Sequence, residues 1–279
     1  MIVSLNKITS TKSLVLADHL LLSVGRFIIT LLIAGLLDEE NLVTYYIIVL
    51  YSFMFAGLSN TFNSQAIKAS SFKWQIGATY KDFAFYQQIA FTLLSLGFLF
   101  LTAFVSGWYQ LINGQTFAIV SGILMHNFVR RYLLCHRQLL FLLAIDFAII
   151  IPQILTLLTC YGTKATDAEI LSWFGAAYFS SVLVFSFWLK PTLKHLHAWP
   201  SMVLKQIRQT SLNSFLIFTM WIGANLIIVL ANMFIGIELL IALQLIQSLF
   251  CMFNVLFQNL GIYTLPSLNH LYTSRAGVS

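Results

Sequence analysis

Long apolar runs separated by short polar stretches dominate the pattern of this chain. Each run reaches the length of about 20 residues that a helix needs to cross a bilayer. The pattern therefore predicts an all-α, polytopic membrane helical bundle with about eight transmembrane helices. The predicted spans are residues 14–37, 42–66, 84–107, 116–135, 138–160, 169–189, 212–235 and 239–265.

Composition agrees with a membrane protein, because 59% of the residues are hydrophobic and only 9% are charged. A soluble domain of this length carries far more charge. The first apolar run is too long for a cleavable signal peptide. Cys135, Cys160 and Cys251 lack metal-type spacing and are expected to act as small apolar residues. The sequence thus predicts no metal site and no cofactor.

The distribution of charge predicts an orientation. With eight spans, 13 of the 15 basic residues fall at the termini, in the 2–3, 4–5 and 6–7 loops, or at the end of span four that adjoins the 4–5 loop, against one acid, Asp82. The opposite loops carry six acids and one base, Lys164. By the positive-inside rule both termini are expected to be cytoplasmic. The net charge of +6 is thereby explained by orientation and by attraction to anionic lipids, without a nucleic-acid partner.

The first span carries an arginine near its middle. At 100° per residue His19, Ser23, Arg26 and Thr30 fall within an arc of about 60°, and Asp18 lies two turns before the arginine. A central arginine costs roughly 2.5–3.5 kcal/mol on insertion scales, so it should face protein or a water-filled cavity. Arg26 is therefore either a cavity residue that binds an anionic substrate or a structural residue paired with a carboxylate or with carbonyls.

Spans four and five contain further charges. Asp146 is expected to be a counter-ion for an arginine such as Arg26, or else a group that is protonated during transport. It shares a helix face with Gln153, seven residues later. Arg130 and Arg131 end span four, where arginines usually anchor a helix by snorkelling; they could also engage phosphate at the cytoplasmic leaflet.

Polar stripes follow three other spans, and each must turn inward in lipid. The stripes on spans two and eight either pack helices together or line a cavity. Span two carries Tyr45, Ser52, Ala56, Ser59 and Asn63; span seven carries Trp221, Asn225 and Asn232; span eight carries Gln244, Gln247, Cys251, Asn254 and Gln258.

A weak internal repeat suggests two lobes. Spans seven and eight can be laid over spans one and two so that Arg26 falls on Asn225 and Tyr45 on Gln244. Because both pairs start on the same side, the repeat is parallel. It predicts a complete six-helix lobe at 1–190, a cytoplasmic connector at 191–211 and the two-helix start of a second lobe at 212–279.

This order of features resembles the polysaccharide flippases of the MOP superfamily, which move O-antigen and other lipid-linked oligosaccharides. The resemblance lies in ADHLLLSVGRFIITLLIAGLL, in FVRRYLLCHRQLLFLLAIDFAII, and in the run from MWIGANLIIVL to GIYTLPSL. It implies a two-lobed, alternating-access carrier, not an enzyme, in the bacterial cytoplasmic (inner) membrane. Its substrate would be a polyprenyl-diphosphate-linked oligosaccharide for cell-surface polysaccharide.

The resemblance also suggests roles for the polar side chains. Arg26 would meet the diphosphate, and the amide stripe of span eight would face it from the other lobe. The expected substrate-binding residues are Arg26, His19, Ser23, Asn225, Gln244, Gln247, Asn254 and Gln258, with Asp18 and Asp146 as charge partners or coupling groups.

Two alternatives stay open. One is a cation-coupled multidrug exporter of the same superfamily, although Asp18 and Asp146 are the only span acids expected and Arg26 opposes a cationic substrate. The other is a non-transporting remnant or scaffold, since eight spans are fewer than relatives have. A transporter of this length would be truncated or split, or would need an oligomer or a complementary chain to supply helices. A membrane enzyme is disfavoured, because the exterior loops are short and the histidines are scattered.

Overall fold

The computed structural model describes residues 2–70, 75–163 and 165–192, together with scattered helical positions between 202 and 246. Apart from a short 3-10 turn at Tyr109–Leu111, the regular elements of this part are six α-helices. They are α1 (Ile2–Leu36), α2 (Glu39–Ser70), α3 (Gln75–Ser106), α4 (Gly114–Cys135), α5 (Leu139–Thr163) and α6 (Asp167–Leu189).

Five of these helices are long and apolar enough to cross a membrane, which identifies a membrane protein. They contain Ser13–Leu36, Glu39–Asn63, Thr79–Ser106, Leu139–Thr163 and Asp167–Leu189. Together with α4, which is less apolar, they coincide with the first six predicted spans. Predicted spans seven and eight lie outside the continuously described residues, so the count of eight and the two-lobe division stay predictions.

Side-chain caps fix the ends of helices at one end of the bundle, which we call the acidic end. The Asp38 carboxylate accepts the Asn41 amide at 2.8 Å, and Thr166 and Glu169 form a capping box at the start of α6. Asn41 Nδ2 also donates to Asp167 at 2.8 Å. The α1–α2 and α5–α6 connections therefore meet, and their acidic residues satisfy helix N-termini.

The opposite end, which we call the basic end, joins α3 to the residues that follow α6. The Lys81 ammonium donates to the Leu189 carbonyl at 3.1 Å. The buried Asp82 carboxylate accepts the Thr192 amide at 3.1 Å and the Thr192 hydroxyl at 2.6 Å. These bonds secure the chain where it leaves the sixth helix.

Helix α4 lies at the centre, in contact with α2, α3, α5 and α6. Its approach to α6 depends on two glycines. A Cβ atom on Gly122 would lie 2.4 Å from the Tyr178 Cβ, and one on Gly175 would lie 2.7 Å from the Ala118 Cβ. Small residues allow such close packing in lipid.

The polar stripe of α2 faces protein, and all five of its members are buried. Asn63 Nδ2 donates to Gln88 Oε1 of α3 at 2.6 Å, and the Ser59 hydroxyl donates to the same oxygen. Gln88 Nε2 donates in turn to the Leu124 carbonyl of α4 at 3.4 Å. Of the two interpretations of this stripe, helix packing therefore fits the structure.

We predict that Gly122→Ala lowers the stability of the protein in detergent by about 1–3 kcal/mol, because the new methyl group overlaps Tyr178. Gly97→Ala is the matched control, since a Cβ there meets nothing within 4 Å. Thermal unfolding of both variants measures the difference. Equal stability would contradict the close packing of α4 on α6.

Candidate functional site

Four ionisable side chains from three helices meet inside the bundle, and we call them the tetrad: Asp18, His126, Arg130 and Asp146. Arg130 Nη2 donates to Asp18 Oδ2 at 2.5 Å, and Arg130 Nε donates to Asp146 Oδ2 at 3.0 Å. His126 Nε2 lies 3.2 Å from Asp146 Oδ1. One guanidinium thus connects α1, α4 and α5.

Helical geometry brings these residues together. His126 and Arg130 are four residues apart on α4, so they share one face. Arg130 lies five residues before the end of α4 at Cys135, and Asp18 lies five residues into the apolar segment that starts at Ser13. Asp146 lies seven residues into α5. At 1.5 Å per residue, all three are roughly 8–10 Å inside the basic end.

The tetrad is almost wholly removed from solvent. The side chains of Asp18, Asp146 and His126 are 1%, 0% and 2% exposed, and that of Arg130 is 13% exposed. Burying charge is expensive unless partners satisfy it, and removing one partner leaves that cost uncompensated. An arginine suits this position, because its charge is permanent and adjacent nitrogens of its planar fork can engage two acceptors.

Three polar atoms of the tetrad remain without a hydrogen-bond partner: Asp18 Oδ1, Asp146 Oδ1 and His126 Nδ1. The contact between His126 Nε2 and Asp146 Oδ1 is not a hydrogen bond, since that oxygen has no hydrogen-bond partner. Unpartnered buried polar atoms are uncommon, and three in one cluster leave room for further protonation. No three His, Cys, Asp or Glu residues in the described part of the chain are placed to hold a metal ion.

The polar stripe of α1 lies beside the packed face of that helix. His19, Ser23 and Arg26 are half-buried, and the Thr30 hydroxyl donates to the Arg26 carbonyl at 2.8 Å. The Arg26 guanidinium lies 5.0 Å from the centre of the Phe53 ring of α2. This is a cation–π contact, which partly offsets the desolvation of the charge.

Of the predicted site residues, the structure brings Asp18 and Asp146 together and places Arg26 elsewhere. An arginine such as Arg26 is the partner that the sequence predicts for Asp146. In the structure Arg130 occupies that position. Asp146 and Gln153 are both buried, as their shared face predicted. The predicted residues Asn225, Gln244, Gln247, Asn254 and Gln258 lie outside the described residues, so their lining role stays a prediction.

Sequence reasoning missed His126 and gave Arg130 an incorrect role. The anchoring interpretation suits Arg131, which is exposed, but it is wrong for Arg130, whose guanidinium bonds two buried carboxylates. The missed signal was the four-residue spacing of a histidine and an arginine on the least apolar of the first six spans. Such a helix is expected to face protein on most sides.

We predict that Arg130→Gln destabilises the protein by about 3–5 kcal/mol, because it leaves two buried carboxylates without their cation. Arg131→Gln is the matched control on the neighbouring exposed position, with an expected change within about 0.5 kcal/mol. Thermal unfolding in detergent measures both. Indistinguishable variants would contradict a structural role for the tetrad.

A charge-neutral variant separates electrostatics from packing. Adding Asp18→Asn and Asp146→Asn to Arg130→Gln removes all three charges at nearly constant volume, so much of the lost stability should return. The triple variant is compared with Arg130→Gln in the same unfolding assay. If the two unfold alike, the loss in the single variant comes from packing and not from unpaired charge.

Comparison with known proteins found no match: neither a scan against protein-family models, nor a search of curated proteins, nor a search of solved structures gave one. Functional interpretation therefore depends on the side chains described above. The tetrad and Arg26 are the charged features that lie inside the apolar segments of α1 and α5 or bond to them.

Proposed function

We propose that this protein is a transporter of the flippase type, which moves a polyprenyl-diphosphate-linked oligosaccharide across the bacterial cytoplasmic membrane for cell-surface polysaccharide synthesis. The observation that carries the proposal is the position of Arg26. It is a half-buried cation near the middle of an apolar segment that runs from Ser13 to Leu36. Ionisable residues at that depth usually mark a substrate or ion pathway.

The chemistry of Arg26 suits an anionic head group. Its guanidinium is permanently charged and can donate two parallel hydrogen bonds to a phosphate. The Phe53 ring supports one side of it, and His19 and Ser23 add polar groups along the same stripe. A diphosphate passing between leaflets would meet here a positive charge on a polar stripe of an otherwise apolar helix segment.

The arrangement of carboxylates favours an anionic over a cationic substrate. Asp18 and Asp146 both bond Arg130, so neither is presented alone to a cation. A multidrug exporter would need an open carboxylate at its binding site. A flippase would need a cation such as Arg26 for the diphosphate and polar groups for the sugars. The amides of the predicted eighth span would supply those polar groups.

Lipid-linked oligosaccharide on each membrane leaflet is the direct test. In cells that lack the gene, we expect the precursor to accumulate on the inner leaflet and surface polysaccharide to fall. Leaflet-selective labelling of intact cells and of inverted vesicles measures both pools. No change in either pool would contradict the proposal and favour a scaffold role.

We predict that Arg26→Ala reduces surface polysaccharide at least about tenfold, because a charged hydrogen bond is worth roughly 1.5–3 kcal/mol. Arg26→Lys keeps the charge but loses the fork, so its export should be intermediate. Arg131→Ala, at an exposed position of the same bundle, is the control and should export normally. Loss of protein from the membrane in Arg26→Ala, or unchanged export, would contradict the substrate role.

A further inference from the structure

The charge count of the tetrad implies a bound proton. Two carboxylates and one guanidinium leave a net charge of −1 when His126 is neutral. An isolated net charge is costly where the groups are almost fully buried. One proton on the tetrad makes it neutral without any movement of the helices.

The arrangement of the Asp18 and Asp146 carboxyl groups provides a site for that proton. Asp18 Oδ2 and Asp146 Oδ2 bond adjacent nitrogens of the same guanidinium, so the two carboxyl groups are neighbours. Both carboxyl groups therefore compete for one cation, and a proton on either of them would leave a single carboxylate for that cation. Each also retains an oxygen without a partner. Two carboxylates that share a site do not both ionise readily.

Other titratable or charged groups lie around the tetrad on α1, α4 and α6. His19 and Arg26 lie on α1, His126 lies on α4, and Tyr178 of α6 stands with its ring 5.8 Å from the His126 ring. Protonating His126 would place a second cation on the helix face that already carries Arg130, four residues later. The carboxyl pair is therefore a better holder of the proton than the imidazole.

We propose that Asp18 and Asp146 jointly hold one exchangeable proton, which leaves and returns through the basic end of the bundle beside Arg130. On release an O–H bond breaks, the proton passes to water, and the tetrad is left with one negative charge. That negative charge favours hydration of the site from the basic end. As the coupling step of a transporter, the idea rests on the proposed function; as a proton site, it does not.

Infrared difference spectroscopy tests the proton site on the purified full-length protein in lipid nanodiscs. Raising the pH from mildly acidic to mildly alkaline should remove one protonated-carboxyl C=O band from the wild type. That band should shift in heavy water, because its proton exchanges. A wild type with no such pH-dependent band overturns the proposal, whatever the variants show.

Variants assign the band to the tetrad. Asp18→Asn and Asp146→Asn should each abolish it, whereas Asp82→Asn should leave it unchanged. Asp82 is the matched control, because it is also buried near the basic end but bonds Thr192 and Lys81 instead of a second carboxyl group. A band that survives in both tetrad variants overturns the assignment.

The result of the infrared experiment is independent of the result of the leaflet assay. A titrating tetrad band in a protein without effect on either oligosaccharide pool would retain the proton site and reject the flippase. Normal export with no tetrad band would retain the flippase and reject the proton site. If both hold, export by Asp18→Asn should lose its dependence on an imposed pH gradient while the wild type keeps it.

Discussion

The Arg130 guanidinium joins three helices of the described bundle at the place where burying charge costs most. This one cation bonds carboxylates from two other helices. In a low-dielectric interior each of these charges is tolerated because the others are present. These ion pairs also determine how whole helices are joined. Since α1 packs mainly on α5, the Asp18–Arg130 bond ties that outer pair to the central helix.

The central position of α4 follows from the same constraint. A helix that carries His126, Arg130 and polar neighbours cannot face lipid, so it is surrounded by α2, α3, α5 and α6. Gly122 and Gly175 let α6 come close enough to enclose it. Helix α3 shows the contrast, because its outer face presents Leu94, Phe104 and Val105 with more than half of each side chain exposed. Apolarity and exposure therefore vary together, as expected for a bundle in a bilayer.

Periodicity and length predicted much of this architecture. The first six spans, the buried stripe of α2 and the common face of Asp146 and Gln153 all follow from patterns within single helices. The partner of Asp146 could not be obtained in that way. Pairing between helices depends on which helices are neighbours, and sequence pattern gives the depth of a residue but not its neighbour. Arg26 and Arg130 are both span arginines, and only the bonds of Arg130 to Asp18 and Asp146 distinguish them.

The two arginines therefore have different electrostatic surroundings. Arg130 has two carboxylate partners, and with one proton on the tetrad the group carries no net charge. Such a neutral, buried group projects little field along α1. Arg26, two turns further along the same helix, has an aromatic face beside it and lies outside the tetrad. Loss of the tetrad proton would place a negative charge on the side of α1 nearest the basic end and so weaken the attraction of Arg26 for an anion. In the proposed transporter, the protonation of the tetrad and the affinity of Arg26 for an anion would therefore be linked through charge.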